Sequence, residues 1–420
     1  MDGRAAGGGR RKTESGRRLS RIIADGYLDL HRRANEGAFV VWIAIVVPAE
    51  IFAGFENVAY AVPESHAALS AGKGVGTVQC QKAEERGYSA DLCSYARIDI
   101  GTAFDGGKDS PTFGLPRPHL LVSNNNNCSL LVKWFDVYRR EWGVPHFIVD
   151  VPFCYGPQSD RDTDYIAAQY RDLVREIERL SGQRFDIERV REAVRHSCDA
   201  MREWKRFLRA AAHRPSGITV FDSFVQMAPI LTARGTPALA EHFRLLADET
   251  EGAIADGRYP VPDERYRLLW DNIAPWHQLS GMSSRLAALG VNLIAASYTY
   301  CIGSLEGSVQ LFPYDGADSL RYLARIQNFS VCPQGLALRF EAMRAAIGTM
   351  GVDGVVFASN RSCKVYSIMQ MDLLDRVTRE CGVPAVMIDV DHADARAYSE
   401  EGAFTRIEAL LESIDMKRAG

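Results

Sequence analysis

The sequence predicts an α/β protein of two related parallel-sheet lobes joined by a largely helical middle region. Three observations carry this. Short apolar runs of 4–8 residues recur along the chain, the length of buried strands. Amphipathic helical stretches lie between them, an alternation that builds parallel sheets through helical crossovers. One pattern also occurs twice: strand, Ser-Asn, a few polar residues, cysteine, helix, Gly-Val-Pro, and a strand ending in Asp-Val.

The elements follow in order. The basic residues of the first 21 positions (Arg4, Arg10, Arg11, Lys12, Arg17, Arg18, Arg21) stand with Gly7, Gly8 and Gly9 and read as a disordered leader. Residues 1–37 comprise this leader and a first helix. Lobe 1 spans 38–160, with strands at Val40–Val47, His119–Ser123 and Phe147–Val151 and a helix at Leu130–Trp142. Residues 161–270 are charged and helical (Tyr165–Leu180, Asp186–Ala211 and Phe224 to about Ile254). There Leu173, Ile177 and Leu180 form an apolar stripe at i, i+4 and i+7. Lobe 2 spans 271–420, with strands at Leu293–Ser297, Gly354–Ser359 and Ala385–Val390 and a helix at Tyr366–Glu380. Both lobes are expected to be flavodoxin- or Rossmann-like.

Composition narrows the class. The 420 residues are 47% hydrophobic and 24% charged, ordinary for a globular protein of more than one domain. A net charge of −4 gives no general attraction to nucleic acid or anionic membrane. The most apolar stretch is too short to span a bilayer, and no secretory h-region follows the basic leader, so a cytoplasmic location is expected. Nine widely spaced cysteines are then thiols rather than a disulfide framework.

No C-x-x-C pair occurs, which sets aside zinc ribbons, thioredoxin-like motifs and bacterial ferredoxin runs. Gly72-Lys-Gly-Val-Gly76 matches neither a Walker A loop nor G-x-G-x-x-G, and H-E-x-x-H and G-x-S-x-G are absent. Any ATP requirement must be met by another protein.

The repeated unit puts Cys128 and Cys363 in equivalent places, just past the carboxyl end of a strand, where open α/β sheets bind ligands. The next helix begins there, and its N–H groups favour a thiolate. Two buried thiols near helix starts are the plainer alternative. Cys93 opens another helix from a polar, aromatic loop, whereas Cys80 sits within a helical run and looks like packing.

Several segments together resemble one family. They are Pro63-Glu-Ser-His-Ala-Ala68, Gly87-Tyr-Ser-Ala-Asp-Leu-Cys-Ser-Tyr-Ala-Arg97, Asn124-x-x-x-Cys128, Ser359-Asn-Arg-Ser-Cys-Lys364 and the tail Asp389-x-Asp391, Tyr398-Ser-Glu-Glu401 and Arg406-Ile-Glu-Ala409. The family is that of the 2-hydroxyacyl-CoA dehydratases, which includes the substrate-binding subunits of ATP-dependent benzoyl-CoA reductase. The resemblance runs from about Trp42 to Ile414 and is most specific in the cysteine loops. It implies a heterodimer with a homologous second subunit, and a [4Fe–4S] cluster held by Cys93, Cys128 and Cys363. It also implies an ATP-hydrolysing iron–sulfur activator that delivers single electrons, and an acyl-CoA substrate that passes through a ketyl radical. With three cysteines for four irons, one iron stays open as a Lewis acid. The Gly-Tyr-Ser and Pro-Glu-Ser-His blocks lean slightly toward the reductase branch.

Other residues have two readings each. Glu50 matches a family Pro-x-Glu-Ile segment and is either a catalytic carboxylate or a helix-start charge. His66 is a proton donor or a structural histidine. Glu64, Arg97 and Lys364 are candidates for substrate binding. Arg97 and Lys364 would offset cluster charge or hold CoA phosphates, or be solvated surface charges. Asn124–Asn127 offers amides to cluster sulfurs, or is a turn-rich loop. Two further functions stand beside the enzyme: a non-catalytic electron-relay subunit of the same heterodimer, and a cluster-free two-lobed small-ligand binder.

Overall fold

The computed structural model describes residues 13–156, 159–301, 313–327 and 334–420. Eight strands form two four-stranded parallel sheets. Sheet 1 contains β1 (Phe39–Ile43), β2 (Val58–Ala61), β3 (Leu120–Asn124) and β4 (His146–Val149), in the order β2-β1-β3-β4. Sheet 2 contains β5 (Tyr266–Asp271), β6 (Val291–Ala296), β7 (Gly354–Asn360) and β8 (Ala385–Val390), in the order β6-β5-β7-β8. The second order is the first repeated, so the duplicated motif sits on two copies of one topology. The order matches the flavodoxin-like doubly wound pattern, whose ligands bind beyond the strand ends at the switch between the first and third strands.

The inner strands are apolar because both faces are covered. β1, β3, β5 and β7 are almost wholly buried, and the edge strands β4 and β8 less so. The strand expected at Val40–Val47 stops at Ile43. Ala44 still donates to the Val122 carbonyl (2.9 Å), and Val47 then turns back onto Ala44, so Ile45 and Val46 bend over the rim of the sheet.

Two strands are not expected from the sequence. β2 is short and half alanine. β5 lies in the stretch expected to close the helical region, and it carries Arg267 and Asp271. Arg267 is buried because backbone carbonyls satisfy its guanidinium: Ala211 (2.6 Å), His213 (2.9 Å) and Met350 (3.0 Å), with Glu264 as counter-ion.

The middle is helical, as the periodicity requires. Helices Asp160–Ser181 and Ile187–Leu208 are closed by a Ser159/Asp162 capping box and an Asp186 cap. Leu173 and Ile177 are fully buried. The stretch from Phe224 to Ile254 is not continuous. It breaks into Val220–Gln226, Pro229–Thr232 and Pro237–Ala255, because each proline can open a helix but not continue one.

The first helix, Glu14–Asn35, starts earlier than its basic composition suggests and takes in Arg17, Arg18 and Arg21. Thr13 caps it by accepting from the Gly16 N–H. Glu14 pairs with Arg17, Arg18 reaches Glu241 at 2.6 Å, and Leu19, Tyr27 and Leu30 are buried. The more N-terminal basic residues lie outside the described residues. Among the described residues no helix is long and apolar enough to cross a membrane, and the seven cysteines characterised there are free thiols.

His242 gives the helical region an acid sensitivity. It is fully buried and meets Gln226 at 3.1 Å, and burial lowers its pKa from 6.5 to about 4. Its folded pKa is depressed, so the unfolded chain binds the extra proton. Stability is full above pH 6.5 and falls as pH drops toward 4, by about 3 kcal/mol. In urea titrations at pH 7 and pH 4, wild type should lose more stability than His242→Gln by roughly that amount.

Candidate active site

The two sheets face their carboxyl ends toward one half-open, largely apolar cavity of about 110 Å³. Both sheets contribute. Ile45 and Val46 follow β1, Asn127 and Cys128 follow β3, Ile273 follows β5, Tyr298 follows β6, Cys363 follows β7 and His392 follows β8. Both first-to-third-strand switch points thus open on the same space. Cys93, Cys128 and Cys363 all line it, and so does Glu64.

Each cysteine is the residue before a helix: Cys93 before Ser94–Phe104, Cys128 before Ser129–Trp142 and Cys363 before Lys364–Ser367. Burial pushes the Cys93 thiol well above its ordinary value, and the neighbouring Cys363 and Cys128 push the same way. The N–H groups of Ala96 and Tyr95 oppose this. Cys128 is also raised by burial, against the N–H groups of Leu131 and Leu130. Three thiols crowded in an apolar cavity are poorly placed to ionise by themselves, and a bound cation would offset that cost.

The Cys93 loop belongs to lobe 1 in sequence but docks on lobe 2. The Ser94 N–H donates to Ser362 Oγ (3.2 Å), and Ser362 donates to Asp391 Oδ2 (2.6 Å). Asp391 also accepts the N–H groups of Ala393 and Asp394, and its pKa is held at about 2. His392 Nε2 lies 3.0 Å from Ser94 Oγ and 3.7 Å from Cys93 Sγ, and its Nδ1 is 3.2 Å from Asn360 Oδ1. Tyr95 packs edge-on against the His392 ring (4.3 Å) and accepts the Trp276 indole N–H.

Glu64 sits one residue inside the helix Pro63–Gly72 and is 5% exposed. Its Oε1 accepts the Ile45 N–H at 3.0 Å, while Oε2 is buried without a partner. Burial raises its pKa to about 7, so the carboxyl can hold or release a proton near neutrality.

The remaining expected residues lie elsewhere. His66 is fully buried behind the cavity, with Nδ1 3.2 Å from Asp99 and Nε2 2.8 Å from Ser110. Asp99 accepts from Tyr138 (2.5 Å), which accepts from Trp134 (3.0 Å), a cavity-lining residue. This chain ties together the helices that carry Glu64, Cys93 and Cys128. Arg97 is buried between Glu84 (2.6 Å) and Asp394 (2.8 Å) and donates to the Leu92 carbonyl (3.0 Å), bracing the Cys93 loop rather than facing the cavity. Lys364 is exposed and donates to the Arg361 carbonyl (2.6 Å). Asn124 and Asn127 are buried, and Asn124 accepts the Asn127 N–H (2.6 Å), which shapes the turn before Cys128.

Glu50 lies away from the cysteines. It follows β1 in the turn Ala49–Gly54, is fully buried, and pairs with Arg234 at 2.7 Å. Tyr95, Trp134, Tyr298 and His392 are lining residues that sequence reasoning passed over. For His392 a signal existed: it stands just past the Asp-Val that ends the second repeated unit.

Among the described residues, no group of three or more His, Cys, Asp or Glu side chains is arranged to hold one metal ion. Three thiols spaced around a shared cavity, each at a helix start, are a donor set that fits a polynuclear iron–sulfur cluster better than a single cation. Cys80 and Cys198 are buried away from it, against the Ser94 carbonyl and Tyr322.

Comparison with known proteins places the chain in a family. Residues 44–414 match the family model for 2-hydroxyglutaryl-CoA dehydratase, D-component. The chain is 31% identical over 388 residues to the (R)-phenyllactyl-CoA dehydratase alpha subunit of Clostridium sporogenes, covering 91% of each chain. It is 31% identical to the (R)-2-hydroxyisocaproyl-CoA dehydratase alpha subunit of Clostridioides difficile, covering 95% of this chain and 96% of that one. It is 28% identical to a subunit of benzoyl-CoA reductase from Thauera aromatica, covering 86% of this chain and 85% of that one. The chain belongs to the 2-hydroxyglutaryl-CoA dehydratase D-component family.

Proposed function

We infer that the chain is the substrate-binding subunit of an iron–sulfur enzyme acting on acyl-CoA thioesters, and that it dehydrates an (R)-2-hydroxyacyl-CoA. The observation that carries this reading is the convergence of Cys93, Cys128, Cys363 and Glu64 on one cavity between the lobes. Two dehydratase alpha subunits at 31% identity, against 28% for the reductase subunit and 26% for the 2-hydroxyglutaryl-CoA dehydratase alpha subunit, lean the reading toward dehydration of a hydrophobic 2-hydroxyacyl-CoA rather than ring reduction. The relatives are named as subunits, which supports a partner subunit here, with an ATP-hydrolysing activator proposed as the electron source.

Cys93, Cys128 and Cys363 would hold a [4Fe–4S] cluster. Bound there, a cluster would supply single electrons to the thioester and a Lewis-acidic iron. The rest falls to the protein. The apolar wall formed by Ile45, Leu131, Trp134 and Ile273 excludes water from the reacting carbons. Glu64 lines the cysteines' cavity with Oε2 unpartnered, and among the described lining residues it is the one carboxyl available to take a proton from the substrate or give one to the departing hydroxyl. The Ile45 N–H fixes its other oxygen, so the group is oriented before substrate arrives.

The test is anaerobic co-purification with a homologous partner subunit, followed by assay with activator, ATP and (R)-2-hydroxy-4-methylpentanoyl-CoA. The 2-enoyl-CoA is the expected product. Turnover by the heterodimer that is unchanged by Glu64→Gln in this chain would favour the relay subunit, and a cluster-loaded heterodimer that turns over neither a 2-hydroxyacyl-CoA nor benzoyl-CoA would overturn the enzymatic reading.

A further inference from the structure

A second and larger cavity, of about 660 Å³, lies on the other side of the helix that carries Glu64. Val62 and Ser65 face it, and no residue lines both cavities. It runs along the outer edge of β2, beneath the first helix and beside Ile187–Leu208. Leu30, Phe52, Tyr60 and Leu231 give it an apolar body.

Arg234 is its innermost charge. The side chain is 9% exposed, and its Nε donates to Glu50 Oε1 at 2.7 Å. Among the described residues it forms no other hydrogen bond or ion pair, so both terminal nitrogens are without protein partners while Arg234 lines the cavity. Glu50 itself is fully buried with Oε2 unpaired. A buried guanidinium whose Nε is fixed by a carboxylate presents its remaining N–H fork in one orientation, the geometry that receives an oxyanion.

The surrounding charges select the kind of anion. Arg33 and Arg189 also line the cavity, but Asp29, Glu56 and Glu192 stand exposed on the same lining and Glu50 lies behind it. Three arginines against four carboxylates leave no surplus of positive charge for a dianionic phosphate. A monoanion with an apolar body suits both the single deep fork and the aromatic and aliphatic walls.

We propose that this cavity binds a free carboxylic acid with an aliphatic or aromatic body, its carboxylate on Arg234. The site is separate from the cysteine cavity and does not rest on the cluster reading. For an enzyme of acyl-CoA thioesters, such a ligand would be the class of acid released when a thioester is cleaved or transferred.

The test uses the purified full-length protein and isothermal titration with phenylacetate, 2-phenylethanol and inorganic phosphate. Wild type should bind phenylacetate, and bind the alcohol and phosphate at least tenfold more weakly. Two variants probe the site: Glu50→Gln/Arg234→Met, which removes the ion pair without stranding a charge, and Thr232→Trp, which narrows the cavity without touching Arg234. Each should weaken phenylacetate binding at least tenfold. If the double variant does not melt cooperatively, Thr232→Trp alone decides. No binding by wild type, phosphate bound as well as phenylacetate, or binding unchanged in the folded variants would overturn the proposal.

Discussion

Replacing Cys363 by Ser is expected to remove most bound iron from protein reconstituted anaerobically with iron and sulfide, and Cys93→Ser and Cys128→Ser should do the same. The thiols sit at three helix starts around one cavity, so each is a separate corner of the proposed site. A serine oxygen is a harder ligand and a poor substitute for thiolate in an iron–sulfur cluster. Cys80→Ser, Cys198→Ser and Cys381→Ser are the controls. Cys80 and Cys198 are buried in helices away from the cavity, and Cys381 is half-buried at the end of the segment before β8. These three should keep wild-type iron. A full cluster in Cys363→Ser would show that the three-cysteine assignment is wrong. Loss of iron in all six variants would point to general unfolding, which melting curves would reveal.

Glu64→Gln is expected to keep the fold and the iron but lose turnover by roughly 10²- to 10⁴-fold, the usual contribution of a positioned acid or base. The amide still accepts the Ile45 N–H, so the helix start should be undisturbed. What disappears is a proton site whose pKa is raised to about 7 by burial. The same shift makes a stability prediction. The folded pKa lies above the ordinary 4.5, so the folded chain holds the proton more tightly than the unfolded one. In the cluster-free protein, stability should therefore fall as pH rises from about 4.5 to about 7, and that part of the profile should be missing in Glu64→Gln. Normal turnover in Glu64→Gln would remove the residue from the mechanism. Glu50→Gln offers the contrast. It weakens the buried pair with Arg234, so it should lower the melting temperature and leave turnover largely intact, because Glu50 does not line the cysteine cavity.

The lobes were legible because their strands are apolar and repeat one motif. Six of the eight strands are apolar runs at or within a few residues of their observed ends. β5 was hidden because a buried arginine breaks its pattern, and only tertiary partners (three backbone carbonyls and Glu264) make Arg267 acceptable there. β2 was hidden because four residues, two of them alanine, carry little periodic signal. The duplication led to Cys128 and Cys363 directly, since a repeated unit puts equal positions at equal strand ends. Glu50 illustrates the opposite limit. A carboxylate just past an inner strand looks like a rim residue, yet the strand ends four residues early and the chain turns Glu50 away from the cavity toward the helical region. His392 and Tyr95 matter through contacts that cross between the lobes, and sequence spacing contains no record of which loop docks on which.

The most direct measurement is metal and sulfide content after anaerobic reconstitution of the wild-type chain, with absorption and EPR spectra of the same sample. About four irons and four sulfides per chain are expected, in a reducible cluster lost on exposure to air. A protein that binds no more than trace iron under these conditions, or that takes a single zinc ion instead, would contradict it.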